Sequence, residues 1–299
     1  KADDGSRGQE LWRSDGTEAG TDLVRDIFPG PTASAPVFLT VLGGSVLLGA
    51  DDSVRGKELW RSDGSEGGTQ LVLDIHPGPD GSGPGALAAV RGVVFFSADD
   101  GAHGAELWRS DGTEAGTKLL KDIFPGLAGS SPSALAGAGG ILYFIADDGI
   151  HGAEVWRSDG TDAGTFILKD VFAGRESSFP GLPAAVGGAL YFSADDGEHG
   201  AEIWRSDGTE GGTSLLLDIA PGPPGSFPES LFPFDGRLFF SSSDGETGPE
   251  LWTTDGTGGG TALVQDVFPG PQGSRPAPLA AAQGVLYLAA DDGVHGREL

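Results

Sequence analysis

A glycine-rich loop carrying two or three carboxylates recurs along this chain. In one copy it reads Asp99-Asp100-Gly101-Ala102-His103-Gly104-Ala105-Glu106. Asp51, Asp52 and Glu58 repeat it, as do Asp147, Asp148 and Glu154, and then Asp195, Asp196 and Glu202. Asp291 and Asp292 open a last copy. Carboxylates and free carbonyls on such a loop are suitable Ca²⁺ ligands, since Ca²⁺ takes roughly six to eight oxygens. The spacing is not that of an EF-hand. Two readings therefore stand: a Ca²⁺ site in each loop, or carboxylates that brace the hairpin by hydrogen bonds within the repeat. His103, His151, His199 and His295 share one phase of the loop. A zinc site would need histidines from separate loops to converge, which one loop per repeat disfavours. The fifth loop departs most, with Ser243, Glu246, Thr247 and Pro249. If one ligand site is unique, Ser243, Glu246 and Thr247 mark the place to look.

Catalysis needs distinct groups in distinct roles. Near-identical loops offer the same groups again and again, and no nucleophile motif or phosphate-binding loop stands out. The expectation is a protein that is not an enzyme, with no assigned cofactor beyond possible Ca²⁺.

The loops must be positioned by a repeat. Trp12, Trp60, Trp108, Trp156, Trp204 and Trp252 are each 48 residues apart, with no insertion or deletion. A Glu precedes every Trp by two positions, an Asp-Gly follows it by three, and a further Asp, such as Asp26 or Asp122, follows it by fourteen. Within one repeat, four runs read as strands. They are Ala134–Ala138, Ile141–Ala146 after the Gly139-Gly140 turn, Glu154–Arg157, and Phe166–Phe172. Helical periodicity is absent, and Gly or Pro interrupts most candidate helices. Four antiparallel strands repeated six times at this length is the pattern of a β-propeller. The fold expected is all-β: a single six-bladed propeller over residues 1–299.

Each Trp is expected between neighbouring blades, where burying an indole removes about 150–250 Å² from water. The Ser-Asp-Gly-Thr turn after it reads as structural, with Asp bonding its own turn and Gly supplying positive φ. The Asp late in the fourth strand needs a hydrogen-bond partner, either an indole N–H or loop amides. Connections in an antiparallel blade alternate between faces. The Asp-Asp-Gly loops and the Pro-Gly loops between blades, which carry Ser34, Ser82 or Ser130 two residues before a Pro, must then share one face.

Residues 2–11 and 290–299 occupy the same phase of the repeat. The chain begins before a third strand and ends just inside the next. Closure is therefore expected by N- and C-terminal strands sharing one blade, which removes open sheet edges. One duplicated piece is then left over. This implies further repeats in a longer parent chain, or end-to-end self-association. The opening within a motif, without Met, points the same way.

The formal net charge is −26, and Gly and Pro number 53 and 20 among 299 residues. Such acidity repels nucleic acid and anionic membranes, which need basic patches. There is no Cys, which excludes disulfides and thiolate chemistry.

The string Glu106-Leu107-Trp108-Arg109-Ser110-Asp111-Gly112-Thr113-Glu114-Ala115-Gly116-Thr117 resembles the ELWxxDGTxxGT tandem-repeat proteins of bacteria, many of them secreted. The resemblance covers the whole chain. Ser65 replaces the first Thr of one copy, and Thr253-Thr254 replaces Arg-Ser in another. It implies a repeat fold and an extracellular or cell-surface setting, with no defined catalytic activity. The function expected is a non-enzymatic, multivalent binding or adhesion module for a protein, glycan or surface ligand. The alternatives are a structural module of a longer array or filament, and, third, an enzyme with its site at the central channel.

Overall fold

The computed structural model describes residues 1–299. It is all-β, with 26 strands, one short 3-10 turn at Gly258–Gly260 and no α-helix. Five sheets have four antiparallel strands each, and one three-stranded sheet stands at each end of the chain. The chain divides into two compact units. One comprises Lys1–Gly149 with Ser158–Thr165, the other Ile150–Arg157 with Phe166–Leu299.

The sheet of Gly85–Val90, Val93–Asp99, Ala105–Ser110 and Lys118–Lys121 shows how the first unit is built. Val93–Asp99 is rich in β-branched and aromatic residues, which suit a pleated, buried surface. The turn before it, Arg91-Gly92, has φ of 49° and 75°. Two positive φ values define a tight hairpin whose twist matches that of its strands. Asp99 to Val94 pair in register with Ala105 to Ser110.

Fourth strands are shorter than the sequence suggests. Phe166–Ile167 stands where Phe166–Phe172 was expected. The Leu168 amide still bonds the Val155 carbonyl (2.8 Å), and beyond it the Phe172 amide faces Glu154 (3.4 Å).

Five of the six tryptophans are buried, as expected, and Trp12 in the first sheet is half-buried. In the first unit Trp108 joins Leu47, Leu59, Val94 and Phe96 in one buried cluster, which spans two neighbouring sheets. Trp252 does the same in the second unit with Tyr191, Ile203 and Phe240. Phe96, Phe144, Phe192 and Phe240 are fully buried at one phase of the second strand, and they complete the core.

The anticipated four-stranded sheet built from both chain ends is not among the sheets. Each end instead pairs its own copy of the duplicated segment. Ala2 and Asp3 pair with Glu10 and Gln9, and Ala290 and Asp291 pair with Glu298 and Arg297. Both copies carry the hairpin loop that folds such a segment back on itself, so each supplies its own edge strand.

Candidate functional site

The repeated glutamate is the centre of the loop architecture. Glu106 opens a third strand and is fully buried. Its carboxylate accepts from the amides of Ile123 (3.0 Å), Phe124 (2.9 Å) and Ser130 (2.9 Å), and from the Ser130 hydroxyl (2.6 Å). One side chain thus gathers the start and end of the connecting loop. The carbonyl of Ser130 accepts from the amide of Asp147 in the next Asp-Asp-Gly loop (3.1 Å). Glu58 with Ser82, Glu202 with Ser226 and Glu250 with Ser274 repeat the arrangement. The two loop types therefore pack together, as alternating connections require.

Their approach is close. An added Cβ at Gly104, whose φ is +68°, would lie 2.6 Å from the Gly129 amide nitrogen and 2.7 Å from the Leu127 carbonyl. Neither backbone can give way without breaking the Glu106 network. Gly104→Ala is expected to destabilise by about 2–3 kcal/mol, from a left-handed backbone plus a steric clash. Chemical denaturation checks this.

The paired aspartates hold the loop from inside. Asp99 Oδ1 accepts from the Gly101 amide (2.7 Å). Asp100 Oδ1 accepts from the amides of Ala102 and His103, and Asp100 Oδ2 meets His103 Nδ1 at 2.8 Å. Burial pushes Asp100 up, but those amides and the imidazole outweigh it and hold the carboxyl below its usual range. The hydrogen bond to Asp100, then its charge, raise His103. Asp52 with Arg55, and Asp196 and Asp292 with His199 and His295, follow the same plan. Asp51, Asp147, Asp195 and Asp291 take the part of Asp99, bonding the amide two residues on.

This geometry corrects the expectation of a shared ligand set. Glu58, Glu106, Glu154 and Glu202 are wholly buried and committed to loop amides, so they do not join the aspartates of their own loop. No group of three or more His, Asp or Glu side chains is arranged to hold a metal ion. Thermal unfolding with Ca²⁺ and with EDTA, at fixed ionic strength, is expected to give the same midpoint. A rise with Ca²⁺ would restore the loop as a metal site.

The fifth loop keeps the plan with different atoms. Ser243 Oγ accepts from the Gly245 amide, and Asp244 Oδ1 accepts from the amides of Glu246 and Thr247 and from the Thr247 hydroxyl. Ser243 and Thr247 are thus turn residues, and Glu246 alone projects into solvent.

The Ser-Asp-Gly-Thr turn is structural, as expected. Asp111 Oδ1 accepts from the Thr113 amide and hydroxyl, and Ser110 Oγ meets Thr117 Oγ1 at 2.7 Å. Arg109 reaches the carbonyl of Gly160 in the next such turn (2.8 Å). Of the late aspartates, Asp170 finds an anticipated loop amide, its Oδ2 accepting from Gly174 (3.3 Å). The Oδ1 atoms of Asp26, Asp74, Asp122, Asp170, Asp218 and Asp266 are buried without a donor.

A second set of positions escaped the sequence reading. The residue between the loop Ser and Pro is Ala35, Gly83, Ser131, Phe179, Phe227 or Arg275, and each has a φ between 46° and 57°. The Ser before it is anchored by the buried Glu. In five of the six its own amide bonds a carbonyl in the neighbouring loop, as Phe227 does to Ala201 and Arg275 to Pro249. Left-handed backbone costs a non-Gly residue about 1–2 kcal/mol. Two of the six are nonetheless phenylalanines that stand in solvent, Phe179 at 78% and Phe227 at 61% exposure. The Ser-x-Pro spacing was the available signal. That signal lies in the invariant Ser and Pro, not in the variable residue between them.

No protein-family model and no curated protein matches the chain. Solved structures do. A prolyl endopeptidase matches at 14% identity and a TM-score of 0.53, covering 86% of this chain and 40% of its own. A puromycin hydrolase matches at 16% and 0.51, covering 94% and 46%. A puromycin-hydrolysing peptidase of Mycobacterium tuberculosis matches at 14% and 0.50, covering 94% and 45%. The chain thus spans less than half the length of each. At these identities the likeness is one of fold: the chain is an all-β protein of propeller-like architecture. No helix is long and apolar enough to cross a membrane.

Proposed function

We propose that this chain is a non-enzymatic binding module on a six-bladed propeller. The ligand is a protein, a glycan or another surface component outside the cell or at its surface. The resemblance to the ELWxxDGTxxGT repeats supports the setting. One observation carries the binding role. The Glu, Ser and turn residues common to all repeats are engaged with one another, whereas the Ser-x-Pro position varies and stands on left-handed backbone. Its two phenylalanines combine strained backbone with exposed aromatic surface, a pairing typical of binding sites rather than of stable turns. Two such phenylalanines on equivalent loops allow more than one point of attachment, and avidity grows with the number engaged.

Phe179→Gly and Phe227→Gly test this reading. Gly83 already occupies the equivalent position in another repeat with φ 57°. Both variants are expected to unfold at about the same temperature, because relief of about 1–2 kcal/mol of left-handed strain is largely offset by about 0.5–1 kcal/mol of entropy that Gly adds to the unfolded chain. Capture of glycan-array or cell-surface ligands by the wild type should fall in the variants. Wild-type protein that captures nothing, or variants that capture equally well, would remove the phenylalanines from function.

A further inference from the structure

The Ser-x-Pro position that carries Arg275 opens onto a polar cleft of about 370 Å³ in the second unit, lined also by Arg297, Glu229, Ser230 and Ser241. Arg275 and Arg297 make no ion pair, although the chain has 44 acidic residues against 18 basic ones. Both are exposed, and Glu229, which faces Ser241 across the strand pair, lies within the same walls without closing on either guanidinium. In no other copy do two arginines stand at these two phases. The positions equivalent to Arg275 are Ala35, Gly83, Ser131, Phe179 and Phe227, and those equivalent to Arg297 include Lys57, Ala105 and Ala201.

The backbone beneath Arg275 is fixed. Ser274 is held at its amide and hydroxyl by the buried Glu250, the Arg275 amide bonds the Pro249 carbonyl at 2.9 Å, and Pro276 follows. The φ of 48° is therefore imposed, and the Arg275 side chain leaves a fixed backbone beside the cleft. A forked guanidinium recognises a planar carboxylate by paired hydrogen bonds. The remaining groups, one carboxylate and two hydroxyls, are the partners that sugar hydroxyls use. The volume lies at the lower end of the range for small-ligand sites.

We propose that this cleft binds an acidic sugar. The ligand carboxylate sits between Arg275 and Arg297, and the ring hydroxyls meet Glu229, Ser230 and Ser241. A free anion satisfies only the first half of that set. A neutral sugar satisfies only the second, and leaves both cations without a partner. This assignment rests on the binding role proposed above and names a ligand class for one display position.

Titration calorimetry of the full chain with glucuronate, glucose and sulfate tests it. Glucuronate is expected to bind at least tenfold more tightly than either of the others. Arg275→Gly, which suits the backbone, should remove that binding without lowering the unfolding midpoint, and Glu229→Gln should reduce the preference for glucuronate over sulfate. Equal binding of sulfate and glucuronate would mean a simple anion site. That result, equal binding of glucose, or no effect of Arg275→Gly would overturn the proposal. Loss of this binding with capture through Phe179 and Phe227 intact would leave the wider role standing.

Discussion

Glu106→Ala is expected to lower the unfolding free energy by about 4 kcal/mol. The change leaves two buried amides, one half-buried amide and a buried hydroxyl without their acceptor, and stranding a buried donor costs far more than a hydrogen bond contributes. In a chain of this size each kcal/mol moves the midpoint by roughly 2–4 °C, so a drop of roughly 10 °C should appear in calorimetry. Glu106→Gln keeps the volume but turns an amide group toward donors, and should recover only part of the loss. Asp111→Ala, at an exposed turn of the same repeat, serves as the control with a loss of about 1 kcal/mol. If the two alanine variants are equal, the buried carboxylate is not the centre of the loop architecture.

The second large effect is in pH. Burial raises Glu58, Glu106 and Glu202, while the loop amides and the serine hydroxyl pull them back. Glu154 is raised to about 7, and its bond to the Phe172 amide, at 3.4 Å, is the long one of the set. A carboxyl raised on folding contributes stability that is complete below its unfolded value of 4.5 and is lost as pH rises through the folded one. For Glu154 that span is worth about 3 kcal/mol. His103, His199 and His295 are also raised, each first by its hydrogen bond to the neighbouring aspartate. Their contribution is complete below 6.5 and is lost above it. The lowered aspartates, among them Asp52, Asp100 and Asp196, act in the opposite sense. Theirs is present above 3.8 and is lost as pH falls through the folded value. Together these place the most stable point at about pH 4–5, with a decline toward pH 8. Thermal melts across that range check it, and Glu154→Gln should flatten the decline. A midpoint that climbs steadily from pH 5 to 8 would refute the assignment.

Much of this architecture was legible in the residues. The spacing of Trp12 to Trp252 specified the unit, and the run Ile141–Ala146 marked its second strand. The role of Glu106 was not. A glutamate two residues before a Trp and beside a pair of aspartates reads as a metal ligand, because sequence neighbours suggest spatial ones. In the structure its partner is Ser130, twenty-four residues away. That offset recurs in all six copies, and it was the signal that separated a brace from a ligand. Asp99 and Asp100 were open to either reading, because the same oxygens suit amides and Ca²⁺. Display positions such as Phe227 and Arg275 stayed hidden for a different reason. Positive φ at a bulky residue follows from the packing of two loops, and no local propensity announces it.

The close approach of Gly104 to the Leu127–Gly129 loop has a consequence for how such a chain changes over generations. Neither loop can lengthen by a residue without separating Glu106 from Ser130, so single-residue insertions here are barred. A block of 48 residues is different. Cut at any phase and spliced into another copy, it meets the same glutamate on one side and the same serine on the other. Recombination between copies can therefore add, delete or shuffle whole units in frame, and point changes at the Ser-x-Pro residue can alter what each unit displays.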